Sequence, residues 1–361
     1  MQLSRAKQVS RPRLAATANG LVAAWLEPYS GGDPGHPALR IVGLDPTGRP
    51  AGEPWTWGEE GEFCHGPFLA AHGEGFLLAR VSGFASFRLE ALPLGAGGEP
   101  RGACQVLSEG QTTWVPGAML AASGESLAVA WSQYEQDHGY RVLWRRVLPH
   151  GAPGRVVDLA GRECESAQVL SVAAAASAHD VWWAERAGGS GGQTLWHSRL
   201  GEGDELACCQ EVRLPRPGRL VGGTAFAHQP VLAWVAEGED IGQELRLLGL
   251  DDAGKPDGND LATELTAVQV KEIAILPRDE GMAVLWTACS SLGAPPRLLL
   301  SELDLNGRRC GKDLVLSAVG RAAFDVAAAV CGETLAAVWV EVPATGPERT
   351  GSVQLQVFPD L

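Results

Sequence analysis

A short apolar run ending in tryptophan returns along the chain at an almost fixed interval. The clear copies are Leu21–Trp25, Leu127–Trp131, Val231–Trp234, Ala283–Trp286 and Leu335–Trp339, with Asp180–Trp183 a looser one. Phe76–Arg80 keeps the apolar run and puts arginine where tryptophan stands elsewhere. The runs end at residues 25, 80, 131, 183, 234, 286 and 339, so the period is about 52 residues and seven units account for nearly all of the 361. Repeats at such a period share one core, so residues 1–361 are read as a single domain, against the two or three that length alone suggests.

Each unit divides into four short segments. The first ends in small apolar residues: Leu14-Ala15-Ala16, Leu69-Ala70-Ala71, Leu120-Ala121-Ala122, Val172-Ala173-Ala174 and Val326-Ala327-Ala328. A tight turn follows, such as Ala18-Asn19-Gly20 or Gly73-Glu74-Gly75, of residues that accept the positive dihedrals of a hairpin. The tryptophan run is the second segment. The third alternates apolar and polar residues, as in Phe87-Arg88-Leu89-Glu90, which is the period of a strand with one wet face. Three copies close on an aspartate-to-glycine turn: Asp45–Gly48, Asp251–Gly254 and Asp304–Gly307. A weaker fourth segment ends the unit, for example Arg155–Leu159 or Asp313–Leu316.

Four hairpin-linked strands repeated seven times predict an all-β, seven-bladed β-propeller with four antiparallel strands per blade. A helical solenoid would need apolar residues three and four apart over ten or more positions, and the sequence holds no such stretch. The last unit stops after its third strand, while Ala6–Ser10 is a spare segment ahead of the first. That segment is expected to pair with residues 353–358, close the ring and cover an exposed edge. The tryptophans are expected to be core residues between blades.

The unit resembles the loosely patterned bacterial propeller repeats, in which an inner strand ending in apolar-Ala-Ala is followed by an apolar run closed by Trp and then by an Asp-x-x-Gly turn. The resemblance covers nearly the whole chain and implies the fold alone. The Ser-x-Asp-x-Gly-x-x-Trp box of sialidase-like enzymes is missing. So are the Gly-His and Trp-Asp pair of tryptophan-aspartate repeats, the Gly-Gly doublet of kelch repeats and the quinoprotein docking pattern. No activity carries over from these families.

Composition bounds the partner. The formal net charge of −14 argues against a nucleic-acid backbone or an anionic membrane surface. No apolar run reaches the length of a membrane span, and Met1–Lys7 has no apolar signal-peptide region, so a cytoplasmic protein, a monomer by itself, is expected. The eight cysteines lack Cys-x-x-Cys spacing and the eight histidines are scattered, so neither a metal nor another cofactor is expected. Gly188-Gly189-Ser190-Gly191-Gly192 spells a nucleophile elbow but leads into a strand, where an elbow needs a helix.

In a propeller, the loops entering the inner strands and those between second and third strands share one face. Here that face carries loops 58–66, 108–117, 132–140 and 184–194, which differ between units while the strands repeat. The candidate binding residues are His65, Arg80, Trp114, Tyr134, Glu135, Asp137, Glu163 and Glu185, with no catalytic residue assigned. The expectation is a non-enzymatic scaffold that holds a protein partner through this face. The alternative is a glycan-binding or glycan-cleaving propeller with an acidic channel mouth, favoured if aromatic and acidic residues converge at one spot.

Overall fold

Tight turns and alternating apolar strands give the whole chain one kind of secondary structure. The computed structural model describes all residues except 30–35, 85, 109–113, 124–125, 137–138, 149–151, 162–163, 176–177, 187–192, 217, 227–228, 238–241, 252–254, 279–280, 332, 346–349 and 360–361. Among the described residues there is no helix, and 28 strands form seven four-stranded antiparallel sheets, the blades of a β-propeller.

Blade 1 holds β2 (Ser10–Thr17), β3 (Gly20–Pro28), β4 (Pro37–Leu44) and β5 (Trp55–Trp57), after β1 (Gln2–Lys7). Blade 2 holds β6 (Phe63–His72), β7 (Gly75–Gly83), β8 (Phe87–Leu94) and β9 (Gln105–Val106). Blade 3 holds β10 (Trp114–Ser123), β11 (Ser126–Glu135), β12 (Gly139–Val147) and β13 (Pro153–Asp158). Blade 4 holds β14 (Ser166–Ala175), β15 (Ala178–Arg186), β16 (Gln193–Leu200) and β17 (Leu206–Val212). Blade 5 holds β18 (Gly218–Phe226), β19 (Gln229–Glu237), β20 (Gln243–Leu250) and β21 (Pro256–Ala267). Blade 6 holds β22 (Gln269–Arg278), β23 (Gly281–Cys289), β24 (Arg297–Asp304) and β25 (Leu314–Val315). Blade 7 holds β26 (Arg321–Cys331), β27 (Thr334–Pro343) and β28 (Thr350–Phe358), with β1 as its outer strand.

The first strand of every blade contacts the first strand of the next, from β2 through β26 and back to β2, so the inner strands form a closed ring around the channel. The N-terminal strand closes that ring at a different register from the one expected. Residues 2 to 7 pair with 350 to 354, running from Gln2↔Gln354 to Lys7↔Thr350. Residues 8 to 10 instead make the crossing into blade 1. Gln8 turns the chain at φ 60, and Val9 is buried in the core between blades 7 and 1.

The tryptophans of the second strands are core residues. Trp25, Trp131, Trp183 and Trp234 are at most 1% exposed, and Trp286 and Trp339 at most 4%. Burial requires the indole N–H to find an acceptor, and two local solutions recur. Trp25, Trp131 and Trp339 donate to Glu27, Gln133 and Glu341 two residues on, at 2.9, 3.0 and 3.1 Å. Trp183 and Trp286 donate to Ser198 and Ser301 on the third strand, at 3.2 and 2.9 Å. Trp234 is followed two residues on by Ala236, and its N–H has no partner. The guanidinium of Arg246 lies 5.9 Å from its ring centroid.

Candidate functional site: the polar arc of the channel

Each inner strand leaves the ladder at one place. Register shifts fall at residues 11–12, 66–67, 115–116, 170, 221, 271–272 and 325–326, each beside the end of the second-strand tryptophan run. These are β-bulges, which bend a strand and re-aim its side chains. Seven of them make a collar in the half of the channel nearer the loop-bearing face, where the inner strands begin.

The collar is polar on one side. Blade 6 contributes Lys271 and Glu272, blade 7 Asp325, blade 1 Arg11 and Arg13, and blade 2 His65, whereas blades 3, 4 and 5 place Val115, Leu170 and Val221 at their bulges. The polar members are tied from blade to blade. Val326 N–H donates to Glu272 Oε2 at 3.0 Å, and Arg11 N–H donates to Asp325 Oδ2 at 2.9 Å. One guanidinium nitrogen of Arg11 lies 2.8 and 2.7 Å from the two ring nitrogens of His65. Arg219 of β18 adds contacts to the carbonyls of Val270 and Lys271, at 3.1 and 3.0 Å.

The backbone is unusual at this place. Arg11 and Asp325 both sit at φ 53, in the left-handed region that non-glycine residues rarely enter. Such conformations cost on the order of 1–3 kcal/mol each and concentrate where function needs a fixed geometry.

The electrostatics follow from crowding. Burial, reinforced by Arg11 and Arg13, lowers the His65 pKa to about 4, so the ring is neutral near pH 7. Burial lowers the Arg13 pKa and Arg11 adds to this, while Asp325 and Glu272 oppose it. Burial raises the Glu272 pKa, and the neighbouring Asp325 raises it further against the bond from Val326. Arg11, Arg13, Glu272 and Asp325 are all half-buried, so they keep surface open to the channel.

The sequence-predicted residues fall in three places. His65 belongs to the collar. Tyr134, Glu135 and Glu185 gather at the channel-face ends of blades 3 and 4. Tyr134 stands opposite Tyr140 with ring centroids 5.0 Å apart, and Trp114 is paired with Tyr134 in the ladder. Gln133 donates to Glu135 at 2.6 Å, and the Cys164 thiol, bridged to Tyr140 through the backbone, donates to Glu185 at 3.2 Å.

Arg80 lies elsewhere. It is 5% exposed inside blade 2, with salt bridges to Glu62 at 3.0 Å and Glu90 at 3.2 Å and its guanidinium 4.5 Å from the Trp57 ring centroid. Gly58 passes so close at φ +122 that a Cβ there would come 2.3 Å from an Arg80 nitrogen. Asp137, Glu163 and residues 188–192 lie outside the described residues.

The sequence reading missed Arg11, Arg13, Glu272 and Asp325. The signal was present: Arg13 and Asp325 each stand directly before the apolar-Ala-Ala motif of an inner strand.

Comparisons with known proteins bear on the fold. No family model matches the sequence, and no curated protein matches it. Solved structures do match in shape. The crystal structure of polysaccharide lyase Uly1 has a TM-score of 0.56 at 10% identity over 96% of this chain and 89% of that one. The hemagglutinin-neuraminidase ectodomain of parainfluenza virus 5 has a TM-score of 0.50 at 7% identity, over 82% and 80%. A subtype N10 neuraminidase-like protein of A/little yellow-shouldered bat/Guatemala/060/2010 has a TM-score of 0.49 at 8% identity, over 98% and 94%. The first two similarities agree with the seven-bladed architecture and define the class of protein as a β-propeller; fold similarity at this level of identity assigns no activity.

Proposed function

We propose that the chain binds a carbohydrate at the mouth of its channel. The observation that carries this reading is the polar arc of the collar. Half-buried Arg11, Arg13, His65, Glu272 and Asp325 line it. A sugar ring carries hydroxyls around its edge, so it suits a site of convergent charged hydrogen-bonding groups. The Tyr134–Tyr140 pair adds aromatic surface at the loop-bearing end of blade 3. The names of two fold neighbours, a hemagglutinin-neuraminidase and a polysaccharide lyase, are in keeping with a glycan ligand.

The test is a glycan array followed by calorimetry, with cleavage products sought in the same samples. Arg13→Ala and Arg11→Gly should each weaken binding at least about tenfold, the loss of one charge-assisted contact. Absence of any glycan ligand, or binding unchanged in both variants, overturns the proposal.

A second reading, a protein partner held on the same face, is favoured by three exposed apolar side chains in its loops. Phe84, Leu292 and Val319 are 69%, 76% and 95% exposed, and all lie in loops between second and third strands or between blades. A pull-down partner lost on Val319→Asp but retained by Arg13→Ala would support this reading.

A further inference from the structure

Blade 4 holds a second cluster of chemistry-bearing side chains, away from the channel collar. Asp180 on β15, His197 on β16 and Cys208 on β17 lie on the same face of three adjacent strands. In the ladders Asp180 pairs with Arg199, His197 with Trp182 and Gln210, and Cys208 with Arg199. Asp180 and Cys208 are therefore the diagonal neighbours of His197, within side-chain reach. The His197 ring and the Asp180 carboxylate are fully buried and 2.7 Å apart through Nε2 and Oδ1. With Nε2–H donated to Asp180, Nδ1 carries the lone pair. That nitrogen has no aligned partner, while the Cys208 thiol lies in hydrogen-bonding reach of the ring. Cys208 is half-exposed and stands opposite the Arg199 cation.

We propose that Cys208, His197 and Asp180 form a base-assisted thiol site that reacts with small hydroperoxides. This is the arrangement of nucleophile, base and orienting carboxylate that nucleophilic catalysis requires. The thiol proton passes to His197 Nδ1 and the sulfur attacks an oxygen of the peroxide. An S–O bond forms as the O–O bond breaks; sulfur is oxidised by two electrons and the peroxide is reduced. The leaving hydroxide takes the proton from Nδ1 as water, leaving Cys208 as a sulfenic acid. Burial works against a charged His197 ring, but the bond to Asp180 and the nearby Cys208 outweigh that and raise its pKa, which suits a ring that must take a proton. Beside the cluster, Trp182 packs with Leu232, Trp234, Leu248 and Leu250 of blade 5.

The chain supplies its own controls. Cys209 lies next along the strand, on the opposite face, and Cys104, Cys209 and Cys310 are all exposed and not disulfide-bonded. By access alone Cys209 and Cys310 should react faster than half-exposed Cys208, whereas burial pushes the Cys104 thiol up to about 11 and slows it. The full-length protein is treated with substoichiometric hydrogen peroxide, the sulfenic acids are trapped with dimedone and each cysteine is quantified by mass spectrometry. Cys208 should label at least about tenfold faster than the three exposed thiols, a modest share of what a positioned base contributes. Asp180→Asn and His197→Gln should each bring Cys208 down to the level of Cys209 while leaving Cys209 unchanged. Equal or slower labelling of Cys208 in the unaltered protein overturns the proposal without any variant. A Cys208 advantage that survives both substitutions also overturns it.

Discussion

The backbone N–H of Arg11 donates to Asp325 Oδ2 at 2.9 Å, across the seam where blade 7 meets blade 1, with both residues at φ 53. Each holds the other in a conformation it would not choose alone. Asp325→Ala loses the acceptor and keeps the left-handed backbone, so it should cost about 1–3 kcal/mol in urea denaturation. Asp325→Asn keeps an acceptor oxygen and tolerates that backbone, so it should cost less than about 1 kcal/mol. Equal costs for the two would mean that the bond does not hold the seam.

Arg80 and the channel arginines should behave in opposite ways. Arg80 pairs with Glu62 and Glu90, which are 8% and 5% exposed; Glu90 keeps Arg88 at 2.6 Å and Ser82 at 2.8 Å, so Arg80→Ala strands chiefly the buried Glu62 carboxylate. A loss of about 3–5 kcal/mol is expected. Arg13→Ala should change stability by less than about 1 kcal/mol while reducing glycan binding, because burial, with Arg11 adding to it, offsets what the guanidinium gains from Asp325 and Glu272. Thermal melts and calorimetry on the two variants separate the roles.

The tryptophans test the blade register. Alanine in place of Trp131 or Trp339 should cost about 3–5 kcal/mol. Gln133→Ala should cost about 1–3 kcal/mol, because it leaves the buried Trp131 N–H without an acceptor. Chemical denaturation of the three variants checks these values.

Acid should weaken the fold through two histidines. His65 and His179 have pKa values lowered to about 4, both chiefly by burial. The unfolded chain protonates these rings near the ordinary value of about 6.5, so it binds more protons than the fold as pH falls from there to about 4. Their contribution is complete above the ordinary value and is lost on the way down. His197, with a raised pKa, acts in the opposite sense, its contribution being full below the ordinary value and fading as pH rises through the raised one. His179 is fully buried, and neither ring nitrogen has a partner. His179→Phe should therefore remove on the order of 2–3 kcal/mol of the acid loss between pH 6.5 and 4. Denaturant midpoints across that range, for both proteins, give the comparison.

The architecture was legible because it rests on period. Trp25, Trp131 and Trp339 mark equivalent positions in three units, and they recur near one period although the loops between them differ. The closing strand was legible in kind but not in register, because Ala6–Ser10 alternates no more convincingly than Gln2–Lys7. The buried Val9, which fixes the crossing, has no local mark. The channel cluster was the least visible. Arg11, Glu272 and Asp325 are distant in sequence and meet only because the bulges recur at one height on neighbouring strands. A bulge depends on how two strands pair, which a single strand's composition does not record. Arg80 stood out in the sequence as the break in the tryptophan series, and its partners Glu62 and Glu90 lie close by in the chain. A conspicuous residue therefore belonged to the core, and inconspicuous ones belonged to the channel.

The outer strand of blade 7 is made long before the residues it pairs with, and that gives the ring a history. At about 5–20 residues per second, synthesis of the stretch between the two takes roughly 20 to 70 s. Through most of that time Gln2–Lys7 has no partner, because residues 350–354 do not yet exist. A waiting strand is open to pairing with any other edge in a crowded cell. Arg5 and Lys7 place two positive charges on this one, and its side chains are only partly covered even after docking. The segment that seals the propeller is thus also built to stay unattached until its place is ready.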